Sequence, residues 1–347
     1  MGRQCHTNGA AEGSLESDEA FADAPVDASG SVTGGGAMRR VRLTGAGVIA
    51  LGLLLTPARS EAGAQSCLGT ARPLVIIDET FVGVVNPEGV ENQLRTSLCL
   101  PISDSPGILH DYDGFELGLY NYLSPVYDHQ GVYAAIAPLS FFQLKAAASA
   151  VVIWPLPLDG AGYFGLNSYT DKHSDAELPS SRARSTYGFN GTFTAVLQGA
   201  VDLPGPHALV ITDSLSADYW HIGDAGFYVN LRQDVVLRRS DWVVKNNALV
   251  MIETHLSSTV NLHVGINDDF TSVPASGYVG NILALFVSVP IRRENGSPRD
   301  IEPFVRLGAY THHASRSGFQ FFGGISVAWG KPVSATAPPA EAIVAPQ

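Results

Sequence analysis

The feature that most limits what this chain can become is a period of two. In 93–100, Leu94, Thr96, Leu98 and Leu100 fall on one side, and Gln93, Arg95, Ser97 and Cys99 on the other. Residues 260–267 set Val260, Leu262, Val264 and Ile266 against Asn261, His263, Gly265 and Asn267. Leu144, Ala146, Ala148, Ala150, Val152 and Trp154 likewise oppose Gln143, Lys145, Ala147 and Ser149. Successive side chains of an extended chain point to opposite faces, so these segments are strands with one apolar and one polar or small face. Composition agrees. Only 16% of residues are charged, below the roughly 25% usual for soluble domains. No run reaches the roughly 18 apolar residues that a spanning helix needs. The net charge of −12, with no Lys or Arg cluster outside Arg39, Arg40 and Arg42, excludes a nucleic-acid surface, which needs clustered cations to meet phosphates.

A soluble β-sandwich with one wet face and a closed antiparallel up-and-down transmembrane β-barrel both satisfy this alternation. The connections favour the barrel. About a dozen long strands are expected, at roughly 74–85, 92–101, 114–124, 131–137, 141–154, 190–203, 207–219, 247–256, 259–269, 278–291, 301–313 and 318–329. The tight links Pro138-Leu139-Ser140, Pro204-Gly205-Pro206 and Leu256-Ser257-Ser258 then fall at one end, and the long polar excursions 155–189 and 220–246 at the other. Transmembrane barrels show this asymmetry, with short periplasmic turns and long outer loops. The strand-like segment 227–237 would break the parity if counted alone, so it is assigned to an outer hairpin with 242–246. Tyr120, Tyr122, Tyr127, Trp154, Tyr163, Tyr219, Trp220, Phe270, Tyr278 and Tyr310 are expected near outer strand ends, where interfacial aromatics sit.

In the last strand Phe319, Phe321, Gly323, Ile325, Val327 and Trp329 alternate with Gln320, Phe322, Gly324, Ser326 and Ala328. This resembles the terminal strand of bacterial outer-membrane β-barrel proteins, which barrel-assembly machinery reads as a signal. The resemblance covers roughly residues 70–330 and is architectural, without a specific family. It implies an outer-membrane location, surrounding outer-membrane lipid, and Phe319, Phe321, Ile325, Val327 and Trp329 as the assembly-signal face. Those proteins usually end at the aromatic, whereas this chain continues through a Pro- and Ala-rich tail, 331–347, placed in the periplasm.

Upstream, residues 1–37 are rich in Gly, Ala, Ser and acids and are expected to be disordered. From Met38, the order Arg39, Arg40 and Arg42, the apolar run Leu43 to Leu55, then Ala62-Gly63-Ala64 is that of a signal peptide, 38–64, cleaved after Ala64. Translation starting at Met38 accounts for its late position. Removing residues 1–64 leaves the barrel segment 65–330 and the tail, with a net charge of −10. It also leaves Cys67 and Cys99, which can form a disulfide in an oxidising periplasm; Cys99 as merely a small lumen residue is the other reading.

Charged residues within strands are Arg95, Glu116, Lys145, Asp202, Asp213, Glu253, His263 and Arg306. They are expected to line the lumen, where acids and bases can pair across a polar interior. The mixture implies weak ion selectivity. His129, His173, His221 and His312-His313 fall in outer loops, and solvated loop histidines are the expectation. A metal site would need three or more of these groups to converge, and an esterase a Ser beside a His oriented by an acid. Gly160 to Gly165 lacks the spacing of a phosphate loop. No catalytic motif and no cofactor site is read, so the chain is expected not to be an enzyme. The leading function is a porin-like channel or transporter for a small solute. The alternatives are a structural or surface-recognition barrel with a filled lumen, and a barrel hydrolase.

Overall fold

The computed structural model describes residues 73–102, 113–293 and 300–332. The signal segment, the leader before it, Cys67 and the tail beyond Pro332 lie outside them. Twelve long strands form the wall: β1 (Leu74–Val85), β2 (Gly89–Pro101), β3 (Gly114–Leu123), β4 (Tyr127–Leu139), β5 (Phe142–Ile153), β6 (Thr186–Leu203), β7 (His207–Ile222), β8 (Ser240–His255), β9 (Asn261–Val273), β10 (Tyr278–Ser288), β11 (Asp300–His312) and β12 (Phe319–Pro332). Each pairs antiparallel with the next. β12 also pairs with β1, from Leu74 opposite Pro332 to Val85 opposite Phe321, so the sheet closes on itself. Closure leaves no free edge in the twelve-stranded wall among the described residues. In hydrocarbon no water can pair an exposed N–H or C=O, so only such a closed sheet or a helix can span.

The two faces are inverted relative to a soluble domain. Phe81, Leu119, Phe193, Ile266 and Leu307 stand exposed on the outside, while Asp78, Ser97, Glu116, His129, Glu253, His263, Asn267 and Gln320 are buried inside. An apolar belt around a polar interior is what lipid outside and a lumen inside select; the chain is an outer-membrane β-barrel. Two interior glycines serve packing. Gly118 and Gly131 lie beneath the rings of Tyr133 and Tyr120 on the paired strand, where any Cβ would collide with the ring.

Both long excursions, now 154–185 and 223–239, emerge at the end opposite to where β1 begins, here called outer; 204–206 and 256–260 turn at the inner end. The division is not complete, since 86–88, 124–126 and 274–277 are short outer links. Strand 227–237 does not pair with 242–246. It folds on itself, Phe227–Asn230 against Val235–Arg238, and 242–246 belongs to β8. β8 thus begins seven residues earlier than its sequence suggests, because Trp242, Val244 and Asn246 continue the outward face.

Several expected rim aromatics face inward instead. Tyr120, Tyr127, Tyr163 and Trp220 are buried, and Tyr122, Tyr278 and Tyr310 also look into the mouth. The outer girdle on β6–β8 is built from Phe189, Tyr219 and Trp242, their ring centroids 5.7 and 5.2 Å apart. Cys99 is disulfide-bonded and fully buried against Leu74 and Ile76.

One charge lies on the wrong face for a lumen residue. Asp213 falls between Ile211 and Leu215, both exposed outward, whereas Val210, Asp218 and Trp220 of the same strand are buried. Its carboxylate accepts a hydrogen bond from Asn246 Nδ2 at 2.6 Å. Near His207 both faces of β7 are apolar, so alternation there does not reveal the parity. A lipid-facing carboxylate is destabilising to a degree that depends on depth. Replacing the pair with leucines (Asp213→Leu, Asn246→Leu) is expected to stabilise the barrel by about 1–2 kcal/mol. Reversible urea unfolding in lipid vesicles would measure this, and a loss of stability would show that the pair has a role lipid does not explain.

Candidate functional site

The outer mouth is filled by its own loops. Segment 154–185 carries two single-turn 3-10 helices, Asp175–Glu177 and Ser180–Arg182, and the short strand Gly165–Leu166, which pairs with Phe227-Tyr228 to extend the hairpin into a three-stranded sheet. The hairpin turns through 231–234. Asn230 Oδ1 accepts the Gln233 amide at 3.1 Å, and Asp234 takes a left-handed backbone, φ 51°, which Asp tolerates better than most residues. Tyr228, Val235 and Leu237 pack against Tyr127, Val151, Trp220 and Val243 of the wall. Val229 packs on the other face, against Phe164 and Leu178 of 154–185. Each such large side chain contributes about 1.5–3 kcal/mol when buried, so the base of this lid is a small apolar core.

The tip is polar. Arg232 Nε lies 3.1 Å from Glu91 Oε2 and its guanidinium 4.5 Å above the Tyr122 ring, while the Tyr127 hydroxyl donates to the same Glu91 carboxylate. Gln233 Nε2 donates to Asp218 Oδ2 at 3.3 Å. Asp234 accepts from Arg316 Nε at 2.6 Å. Three consecutive side chains therefore tie the lid to β2, β7 and the β11–β12 loop. Beside and beneath the lid lies a cavity of about 980 Å³, bordered by Gln93, Lys245, Asp269, Arg306, Gln320 and Phe322.

Seven of the eight strand charges proposed to line the lumen point to the inner side. Arg95 NH2 pairs with Asp78 Oδ2 at 3.2 Å, and Lys145 Nζ sits 4.3 Å above the Tyr133 ring, whose hydroxyl donates to Glu116. His263 Nε2 is 2.8 Å from Glu253 Oε2 and its Nδ1 3.2 Å from Ser288 Oγ. Arg306 bonds Asp269, Asn267 and Gln320 at 2.9, 3.0 and 2.8 Å. Asp202 has inward parity but is exposed at the inner rim, and Asp213 faces out. The sequence reading missed Asp78, Glu91, Asp269 and Arg232. The first three lie at or next to strand ends or in acidic pairs that read as turns, and Arg232 reaches the lumen only because its loop folds back.

Nor are the outer histidines solvated as a group. His129 is buried between the rings of Tyr127 and Trp220, at 5.1 and 5.5 Å. His173 and His313 meet at Asp234, and His221 sits on the rim with its Nδ1 2.7 Å from Ser240 Oγ. His173, Asp234 and His313 place one ligand atom each within 4.8 Å of one another, the chemistry of a two-histidine, one-carboxylate metal site. Their hydrogen bonds assign a different state. His313 Nδ1 accepts the amides of Ser315 and Arg316 at 3.1 and 3.0 Å, which leaves Nε2 as the protonated nitrogen, donating to the Asp234 carbonyl at 3.1 Å. His173 Nδ1 lies 3.0 Å from Ser315 Oγ and its Nε2 3.3 Å from the same carbonyl. An Nε2 that carries a proton cannot ligate. The carboxylate, moreover, is already held by Arg316.

Ser315, His173 and Asp234 also lie in the order of a hydrolytic triad. The nearest amides that could stabilise an oxyanion, those of Ser315 and Arg316, are spent on His313, and Asp234 Oδ1 is 3.9 Å from His173 Nε2. The cluster is built as a tie between three loops. Zinc or a chelator is expected to leave the temperature of the gel-mobility shift unchanged, and a rise with zinc would reinstate the metal site. Arg306→Met, which strands Asp269 inside the wall, is expected to lower stability by about 2–3 kcal/mol in urea titrations, near the low end for breaking a buried pair because the lumen admits water.

No protein-family model matches the chain, and no curated protein matches it. Among solved structures it is similar to the NanC porin (10% identity, TM-score 0.34, covering 73% of this chain and 98% of that one). It is also similar to the translocator domain of autotransporter NalP from Neisseria meningitidis (12%, 0.39, 82% and 95%) and to LpxR from Salmonella typhimurium (8%, 0.40, 74% and 99%).

Proposed function

We propose that the barrel is a porin-like channel for a small polar solute, closed at its outer mouth by the hairpin 227–238. The observation that carries this reading is the cavity of about 980 Å³ beside and beneath the lid, within a wall of paired charges. A purely structural barrel would fill this space with side chains, because empty interior forfeits packing contacts. Six carboxylates and four Lys or Arg residues border it, among them Glu91, Asp269, Arg232 and Arg306. That balance favours a weak cation preference and a neutral or zwitterionic solute over a strongly charged one. Lys245 borders the cavity without an ionic partner among the described residues, and so is open to a solute's acceptor. In this reading the outward side chains of β12, Phe319, Phe321, Ile325, Val327 and Trp329, are the face offered to the assembly machinery.

Single-channel recording in planar bilayers tests the reading. The intact chain is expected to give small, infrequent openings with a weak cation preference. A variant whose residues 227–238 are replaced by a short Gly-Ser linker is expected to conduct several-fold more. If neither form conducts, the solute channel fails and the cap of 154–185 and 223–239 becomes the functional part, a recognition surface on a closed barrel.

A further inference from the structure

Among the described residues, every Lys or Arg bordering the cavity but one is held by a carboxylate. Arg232 pairs with Glu91, Arg306 with Asp269 and Arg316 with Asp234, at 3.1, 2.9 and 2.6 Å. Lys245 has no ion pair or hydrogen bond among the described residues. We infer that Lys245, Thr271 and Asp269 form a binding site for a small zwitterion of the α-amino acid type, the first two taking its carboxylate and the third its ammonium group. The inference rests on the reading of the cavity as a solute site and names the class of solute.

Register explains why this lysine is left over. Asp241, Val243, Met251 and Glu253 of β8 are buried inside, and Lys245 shares their parity. It stands opposite Ser216 of β7 and Thr271 of β9. The flanking strands offer two inward carboxylates, both diagonal to it: Asp218, opposite Val243, and Asp269, opposite Asn247. Diagonal neighbours across a strand pair are about 7–8 Å apart. Each of the two has its own donor. Gln233 Nε2, from the hairpin tip, lies 3.3 Å from Asp218 Oδ2, and Arg306 NH1 lies 2.9 Å from Asp269 Oδ2. With both carboxylates engaged elsewhere, the ammonium group of Lys245 faces the cavity without a counter-ion. An unpaired charge inside a wall is costly unless solvent or a ligand meets it.

The unpaired groups set the class of ligand. Lys245 and the Thr271 hydroxyl, side by side on paired strands, are donors suited to one carboxylate. Asp269 uses only Oδ2, which leaves Oδ1 to accept from an ammonium group. Thr271 and Asp269 are two positions apart on one face of β9, about 7 Å. An α-carboxylate and its neighbouring ammonium group span that gap with a hydrogen bond at each end. Two buried atoms of other cavity residues also lack partners, the acceptor Gln233 Oε1 and the donor Arg306 Nε. Such orphans are rare in a folded interior, and a ligand that carries donors and acceptors together is what they call for. Charge points the same way. Six carboxylates border the cavity against four Lys or Arg residues, so a net anion is repelled, and a net cation leaves Lys245 facing like charge. A zwitterion brings no net charge.

Saturation-transfer NMR of the full chain in detergent measures binding without requiring conduction. L-alanine is expected to bind saturably, and more tightly than propionate or ethylamine, each of which keeps one of its two charged groups. Lys245→Met is expected to fold, as its heat-dependent gel mobility will show, because the side chain it removes has no partner. It is expected to weaken alanine binding by about tenfold or more, the range for a hydrogen bond to a charged group, and to leave ethylamine binding nearly unchanged. Lys245→Arg, which keeps the charge, is expected to retain most of the alanine binding. Absence of saturable alanine binding, equal binding in Lys245→Met, or propionate binding as tight as that of alanine would overturn the site. Alanine binding by a barrel that never conducts supports the site and removes the channel. Conduction without alanine binding removes the site and leaves the channel.

Discussion

Every other feature of the molecule follows from the requirement that no backbone N–H or C=O remain unpaired in lipid. The pairing of β12 with both β1 and β11 meets it, and closure then fixes which face each residue occupies. Once the sheet is closed, the apolar side chains that meet lipid lie outside, and the lumen takes the polar groups together with the apolar core beneath the hairpin at the mouth. The polar groups there are arranged in local pairs, Arg95 with Asp78, Glu253 with His263 and Arg306 with Asp269, each spanning neighbouring or near-neighbouring strands. Pairs of this kind stiffen the wall without filling the lumen, which is why space remains for a lid and a cavity.

The lid obeys a different rule from the wall. Its base is apolar on both faces, with Tyr228 and Leu237 toward the barrel and Val229 toward segment 154–185, and its tip is ionic. An apolar core resists opening in proportion to buried area and responds little to pH, whereas the tip contacts depend on charge. The apolar core thus lies at the base of the hairpin and the charged contacts at its tip. β6, β7 and β8 are the longest strands, and the hairpin is carried between β7 and β8. The tip reaches across to β2, on the lower rim.

Alternation made the wall legible. Strands β2, β5, β9 and β12 have one apolar and one polar side, and their positions follow directly from residues such as Leu94, Ala148, Ile266 and Phe321. The lid was legible only in part: parity kept 227–237 out of the wall, but a hairpin buried on both faces reads as one strand, with Tyr228, Val229, Val235 and Leu237 in the same density as a stave, so that its fold-back on itself went unread. The aromatics were not legible. Tyr120, Tyr127 and Trp220 lie toward strand ends, as girdle residues do, but parity turns them inward, where Tyr127 and Trp220 pack around His129 and the hairpin and Tyr120 packs against Tyr122 and Tyr133. Asp213 failed for the opposite reason, a charge whose type suggests the lumen and whose register dictates lipid.

The histidines show why composition does not reveal a site. His173 and His313 are 140 positions apart and are joined only through Asp234, a residue that the hairpin turn presents in a left-handed conformation. A carboxylate between two imidazoles can serve as a metal site, a triad or a tie, and the three differ in which nitrogen holds the proton. Here the amides of Ser315 and Arg316 decide it, because a nitrogen that accepts two N–H bonds cannot carry a proton of its own. The function of the cluster is therefore set by backbone groups of the β11–β12 loop, which leave no mark in the residue types that form it.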